Sequence, residues 1–259
     1  MEKITDDPKG LLSISVVSHG QMAMVSGLMQ DIHENCHGLN IELILTLNLD
    51  ENLLFLDSDY FYPVKVIRNL APKGFGSNHN QAFRQALGQY FCVVNPDIRF
   101  KSNPFSALLA QFGNPMVGVA APWVMGPAGE LEDSVRRFPT PFIILAKVFG
   151  RREKTDSAGI TRDFEPDWVG GMFMLFPKQV FQQLHGFDER YFLYYEDVDL
   201  CGRLHLAGYR VAVCPDSRVV HHAQRSSHRS FKFFRWHLTS MLRFFLSPVY
   251  RQLKRMRKP

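Results

Sequence analysis

Leu11-Leu12-Ser13-Ile14-Ser15-Val16-Val17-Ser18 is an uncharged, apolar and β-branched run of strand length, and Ile41 to Asn48 is a second. Between them Met22, Val25, Leu28, Met29 and Ile32 recur at helical spacing. Strand, amphipathic helix and strand make the unit from which parallel sheets with helices on their faces are built. The pattern continues downstream. Val64 to Asn69 reads as a third strand, and Gly74-Phe75-Gly76-Ser77 as a turn opening a helix that runs to Ala86 and stops at Gly88. Tyr90 to Val94 is a buried strand ending in Asn95-Pro96-Asp97. Asn103-Pro104 pairs a capping residue with proline at the first helical position, for a helix ending near Gly113. Met116 to Val124 and Met172 to Phe176 read as further strands, Pro177 starts a short helix, and Glu196 to Ala207 is a helix stopped by Gly208. Met125 to Asp167 is rich in Gly, Pro and charge and reads as a long irregular excursion over the functional face.

With 259 residues, 46% hydrophobic and 21% charged, the chain is sized for one large α/β domain plus a tail. We expect residues 1–222 to form the domain and residues 223–259 the tail. Met1 to Gly10 lacks the apolar core of a secretory signal, and Cys36, Cys92, Cys201 and Cys214 show no paired spacing. Both point to a reducing, cytoplasmic setting without disulfides or structural zinc. The net charge is only +5, but from Arg225 to Lys258 there is no Asp or Glu, which favours an anionic partner.

Asp97 follows a buried strand, and ligands of α/β sheets sit outside the carboxyl ends of the strands. A carboxylate there can hold a divalent ion against a diphosphate; an ordinary Asx-Pro turn is the alternative. Backbone amides and a helix start in Gly74-Phe75-Gly76-Ser77-Asn78-His79-Asn80 can attract phosphate. Arg136 and Arg137 can bind a phosphate or be solvated. Gly186-Phe187-Asp188-Glu189-Arg190-Tyr191-Phe192-Leu193-Tyr194-Tyr195-Glu196-Asp197-Val198-Asp199 leads an aromatic run directly into three carboxylates within four residues. First-turn acids complement a helix dipole, and Asp199 meets Arg203 one turn on, but dipole complementation does not account for the aromatic approach.

In this order, these motifs resemble a family 2 glycosyltransferase with the GT-A fold: a Rossmann-like, mostly parallel sheet flanked by helices, here with a C-terminal amphipathic helical tail. Asn95-Pro96-Asp97 stands where the family usually has Asp-x-Asp, and is similar to the form in bacterial rhamnosyltransferase-like members. The resemblance implies an inverting, metal-dependent transferase with Asp197 as general base and Glu196 orienting it or touching the acceptor. It places Asp97 and His221 on Mg²⁺ or Mn²⁺, with His221 preferred to His222. It places Ser18, His19, Gly20, Gly74, Gly76, Asn80, Asn95 and Arg136 at the nucleotide sugar, and Trp168, Gly170 and Gly171 at the acceptor. Leu47 stands where the family's base-binding Asp is expected, so Asn48 or Asp50 would substitute. The implied donor is dTDP-L-rhamnose and the implied acceptor an N-acetylglucosaminyl diphospho-polyprenol for O-antigen or cell-wall polysaccharide. Two other classes are weighed: a sugar-phosphate nucleotidyltransferase, whose Gly-rich basic loop is missing at Ser18-His19-Gly20-Gln21, and a non-catalytic module binding nucleic acid or membrane.

In the tail, Phe231, Phe234, Leu238, Leu242, Phe245, Val249 and Leu253 recur at three- and four-residue steps, with Lys232, Arg235, Arg243, Arg251 and Lys254 mostly off that face. This reads as one basic amphipathic helix, kinked at Pro248, that lies on the inner face of the cytoplasmic membrane. Packing of its first half on the domain is the alternative.

Overall fold

The computed structural model describes residues 10–141, 165–222 and 231–256. Its core is an eight-stranded sheet. In chain order the strands are β1 (Leu12–Ser18), β2 (Ile41–Leu47), β3 (Val64–Arg68), β4 (Tyr90–Val94), β5 (Ile98–Arg99), β6 (Val117–Met125), β9 (Phe173–Pro177) and β10 (Arg210–His221). Across the sheet they run β3-β2-β1-β4-β9-β6-β10-β5. β3, β2, β1 and β4 are mutually parallel, β9 runs against β4 and β6, β10 is parallel to β6, and β5 is antiparallel to β10. The mostly parallel α/β sheet expected from the sequence is the one observed. A second sheet pairs β7 (Val135–Arg136) with β8 (Trp168–Val169).

All seven residues of β2 are buried, as befits a strand covered on both faces. Alternation sorts the side chains: Leu43, Leu45, Cys92 and Val94 join the cluster under α1 (Met22–Asn35) and α3 (Phe105–Ala110), whereas Ile44, Phe91 and Val93 face the other layer. That layer holds α2 (Phe75–Phe83), α4 (Lys178–Gln183), α5 (Glu196–Leu206), α6 (Phe231–Leu246) and α7 (Pro248–Met256). The helix after Gly74 ends at Phe83, short of Ala86, because Arg84 to Ala86 close in turns. Asn103 does cap α3, its Oδ1 accepting the N–H of Phe105 at 2.8 Å. All four cysteines are buried thiols.

Two buried acids away from the strand ends are matched. Glu42, buried in β2, accepts from Ser13 Oγ at 2.5 Å and from the N–H of Leu87 at 2.6 Å. Asp31 of α1 receives Arg99 Nε at 2.6 Å and Nη2 at 2.8 Å, together with the Phe100 N–H at 2.9 Å. That clamp fixes β5, the strand directly after Asp97.

The tail divides differently from the expected single face. Ser247 caps a new helix, its Oγ accepting the Tyr250 N–H at 3.1 Å, with Pro248 at the first helical position. The chain therefore breaks between α6 and α7. Val249 and Leu253 turn inward onto α5, where Gly202 makes room: a Cβ there would lie 2.8 Å from Val249 Cγ1. Phe231, Phe234, Leu238, Leu242 and Leu246 remain exposed. Among the described residues no helix is long and apolar enough to cross a membrane. Of the excursion, residues 142–164 lie outside the described residues, as do residues 223–230 and 257–259 of the tail.

Candidate active site

The ends of β4 and β10 meet on one edge of the sheet. β4 delivers Asn95-Pro96-Asp97, whose backbone turns when the Ile98 N–H donates to Asn95 O at 3.2 Å, while the Asn95 N–H is held by Met172 O at 2.9 Å. β10 ends at His221, in register with Ile98. The His221 ring therefore sits beside Asp97, with Nε2 3.3 Å from Oδ2, and its Nδ1 lies 2.7 Å from Glu132 Oε2. Burial disfavours the imidazolium, but hydrogen bonds and charge from Asp97 and Glu132 prevail and raise its pKa to about 9. His222, the other candidate, meets Asp97 through its backbone N–H only, at 2.9 Å to Asp97 O.

Asp97 Oδ1 is buried with no hydrogen-bond partner. A buried carboxylate oxygen lacking a donor, beside an imidazole whose far nitrogen is oriented by a carboxylate, suits a divalent cation. Among the described residues no three His, Cys, Asp or Glu side chains converge as a ready-made cage. Asp97 and His221 would thus share such an ion with other oxygens, as Mg²⁺ commonly does with substrate phosphates.

The aromatic approach to the carboxylates is explained by packing. Residues 186–195 fold over the start of α2. Phe192 O accepts the Phe75 N–H at 2.9 Å, and a Cβ on Gly74 would lie 2.6 Å from the same oxygen. A Cβ on Gly76 would meet Phe187 Cβ at 2.6 Å. Asn80 accepts the Phe187 N–H at 2.9 Å and donates to Phe187 O at 2.8 Å and Glu189 Oε1 at 3.0 Å. Gly74, Gly76 and Asn80, expected at the nucleotide sugar, make these contacts with the loop that leads into Glu196 and Asp197. Glycine at 74 lets the backbone at Phe192 approach, and glycine at 76 makes room for the Phe187 side chain. At the loop's end Tyr194 and Tyr195 both take left-handed backbone conformations, with φ of 70° and 67°. Consecutive strained residues of this type persist only where surrounding contacts over-determine them, and they cluster at functional sites.

That kink starts α5 at Glu196. Glu196 is buried, its Oε2 has no partner, and burial plus the charge of Asp197 push its carboxyl well above the ordinary range. Asp197 is half-buried beside it. Its Oδ2 accepts the Gly171 N–H at 2.9 Å and its Oδ1 the Val198 N–H at 2.8 Å. Burial raises its pKa too, against these N–H donors and the charge of Arg136. The two acids share one neighbourhood, and Glu196, fully buried with Oε2 unpartnered, is the better proton holder. Asp197 is left as the carboxylate that can accept a proton.

Around Asp197 the small β7–β8 sheet sets Arg136 opposite Trp168, with the guanidinium 5.2 Å from the ring centroid. Arg136 is steered by Asp133, at 2.7 Å. The Trp168 indole donates to Arg137 O at 2.9 Å, and the Gly170 N–H donates to Ser134 O at 2.8 Å. Arg136, Trp168, Gly170 and Gly171 therefore share one neighbourhood with Asp197. Asp199 does meet Arg203, at 2.8 Å, and Arg203 also donates to Leu184 O and Gly186 O, so this pair braces the loop.

The far side of the edge is built from β1 and β2. Ser18 Oγ donates to Glu51 Oε2 at 2.9 Å, and the N–H groups of Gly20 and Met22 donate to Glu51 at 2.7 and 3.1 Å. Asn48 is buried; its Nδ2 lies 3.1 Å from His19 Nδ1, and its Oδ1 accepts the N–H of Lys73 at 2.8 Å and Asn69 Nδ2 at 2.9 Å. Asp50 is exposed, and the acid that reaches Ser18 and Gly20 is its neighbour Glu51. Glu51 and Glu132 were not singled out from sequence; their signal is positional, an acid just past a strand end, and too common to select alone.

The sequence profile of Glycosyltransferase like family 2 matches residues 62–239, from β3 through the carboxylate pair and into α6. The chain belongs to this family. Rhamnosyltransferase WbbL of Escherichia coli (strain K12) is 31% identical over 246 residues, covering 90% of this chain and 92% of that protein. The N-acetylglucosaminyl-diphospho-decaprenol L-rhamnosyltransferase of Mycobacterium tuberculosis is 31% identical over 192 residues, 65% of this chain and 62% of that protein. Among solved structures, GalNAc-T7 with UDP, GalNAc and Mn²⁺ superposes with a TM-score of 0.70 at 14% identity. The match covers 93% of this chain and about half, 48%, of that one. The mannosyltransferase PcManGT of Pyrobaculum calidifontis, in complex with GDP-Man and Mn²⁺, superposes at 0.59 with 13% identity over 92% of this chain and 71% of that one. These likenesses establish a rhamnosyltransferase-like GT-A protein and decide for glycosyl transfer over the nucleotidyl-transfer and non-catalytic readings.

Proposed function

We propose that this glycosyltransferase moves L-rhamnose from dTDP-L-rhamnose, with inversion, to an N-acetylglucosaminyl diphospho-polyprenol at the inner face of the cytoplasmic membrane, in O-antigen or cell-wall polysaccharide synthesis. The observation that carries transfer by direct displacement is the carboxylate pair: Asp197 held by two backbone N–H groups beside a buried Glu196 whose carboxyl is raised well above the ordinary range. Asp197 takes the proton of the acceptor hydroxyl as that oxygen forms a bond to the anomeric carbon; the bond from that carbon to the diphosphate breaks, and dTDP leaves with the electron pair. Trp168 offers a ring face to the acceptor sugar, and Gly170 and Gly171 let it approach the backbone. Arg136, beside Asp197, supplies positive charge toward the diphosphate.

Asp97 and His221 would hold a Mg²⁺ or Mn²⁺ ion, with Glu132 orienting the imidazole. When bound, such an ion supplies positive charge against the departing diphosphate. Ser18, His19, Gly20, Asn48 and Asn95 lie at the strand ends where the nucleotide would rest. Support for the donor and acceptor comes from the two rhamnosyltransferase relatives, one of which is named for an N-acetylglucosaminyl-diphospho-decaprenol substrate. The test is a panel of labelled nucleotide sugars offered with a synthetic N-acetylglucosaminyl diphospho-lipid. Transfer from dTDP-L-rhamnose alone supports the proposal; preferential transfer from another donor overturns the choice of sugar.

A further inference from the structure

We propose that α6 is a docking face for an anionic phospholipid membrane, an inference that rests on the reading of a lipid-linked acceptor. Phe231, Phe234, Leu238, Leu242 and Leu246 are 81%, 63%, 39%, 50% and 76% exposed. At 3.6 residues per turn they fall within an arc of about 120°. Five large apolar side chains on one outward stripe exceed the scattered exposure normal for a soluble surface.

The rest of the helix is spent on the catalytic domain. Ser240 Oγ donates to Leu193 O at 2.9 Å, Trp236 stacks on Phe192 with centroids 4.6 Å apart, and Phe244 is buried against Tyr195. α6 is therefore seated directly on the loop that delivers Glu196 and Asp197. A bilayer touching its outer stripe would lie beside the acceptor side of the site.

Charge selects the occupant. Arg235 lies within the stripe, Lys232 and Arg243 run along one edge, and Arg251, Lys254 and Arg255 are exposed on α7, with no Asp or Glu anywhere from Arg225 to Lys258. Long basic side chains around an apolar stripe can reach phosphate headgroups while their stems stay in the acyl boundary. A second copy of the chain is a poor occupant, because a two-fold interface would set the same cations against one another without an acid on the face. On α7, Arg251, Lys254 and Arg255 add charge and Met256 is exposed, while Val249 and Leu253 face the protein.

The test is flotation of the full chain with vesicles of phosphatidylglycerol and phosphatidylethanolamine, against vesicles of phosphatidylcholine. Wild type should bind the anionic vesicles more strongly, and less so in about 0.5 M salt. The double variant Phe234→Asp with Leu242→Asp should bind about a hundredfold more weakly, tenfold for each apolar side chain lost from the interface. It should keep its melting temperature and its activity on a short-chain, water-soluble acceptor. Lys232→Glu with Arg235→Glu should abolish the preference for anionic vesicles. The inference is overturned if wild type floats with neither vesicle, if the Asp variant floats as well as wild type, or if that variant instead turns a dimer into a monomer. Failure of wild type to glycosylate any acceptor would refute the acceptor reading, and the vesicle measurement would stand apart from it.

Discussion

Asp197→Asn and Glu196→Gln are near-isosteric changes one residue apart, and the structure assigns them opposite outcomes. Each Asp197 oxygen accepts one backbone N–H, from Gly171 at 2.9 Å and Val198 at 2.8 Å. An amide can accept only one of these, so the other N–H would face a donor, at a cost of about 1–3 kcal/mol in stability. The amide also cannot take a proton, and loss of a general base costs about 10²–10⁴-fold in rate, or roughly 3–5 kcal/mol of barrier. Glu196 is different. Its carboxyl is buried with Oε2 unpartnered, and burial and the charge of Asp197 raise it well above the ordinary value, which favours the protonated form that a Gln amide mimics. Glu196→Gln should therefore hold its rate within a few-fold. A group whose folded pKa is raised contributes stability present below its unfolded value, near 4.5, and lost as pH rises toward the folded value. Glu196→Gln should accordingly melt higher than wild type at about pH 8, with the gap closing toward about pH 4.5. Single-turnover transfer at saturating donor reads the rates, thermal melts across pH read the stabilities, and a nucleotide-induced melting shift checks donor binding. Equal rate losses in the two variants, or an Asn variant within a few-fold of wild type, would refute this division of roles.

Gly74→Ala would drive a Cβ to 2.6 Å from Phe192 O and should destabilise by about 1–3 kcal/mol, with urea melts as the readout; an unchanged midpoint would mean that the loop moves freely. Asp97→Ala removes the buried, donorless oxygen and should weaken Mn²⁺ binding measured by electron paramagnetic resonance at least tenfold, with transfer activity falling alongside and chelation of wild type doing the same. Glu132→Gln, which weakens the orientation of His221, should lower Mn²⁺ affinity by about tenfold while leaving the melting temperature within a few degrees. Leu253→Ala should cost about 2–4 kcal/mol because this tail residue is 5% exposed against α5; a cost below about 0.5 kcal/mol would show that α7 is not part of the folded domain.

Much of the architecture is local in origin and was legible along the chain. β1, α1, β2 and β4 follow from periodicity, because a strand buried on both faces must be apolar throughout and a helix lying on it must repeat near 3.6 residues. Asp97 and Asp197 were legible because each follows a pattern that ends abruptly, at a strand terminus or at the end of an aromatic run. Tertiary structure decided which groups they meet. His221 reaches Asp97 only because β10 crosses the sheet to pair with β5, and Gly171 reaches Asp197 only because β9 inserts antiparallel between β4 and β6. The tail shows the limit most clearly: Phe231 to Leu253 share one periodic stripe in sequence. A cap at Ser247 and the absence of a side chain at Gly202 turn Val249 and Leu253 into the core and leave Phe234 and Leu242 outside. Periodicity specifies that a helix has an apolar face; what covers that face depends on surfaces contributed by residues far away in the chain.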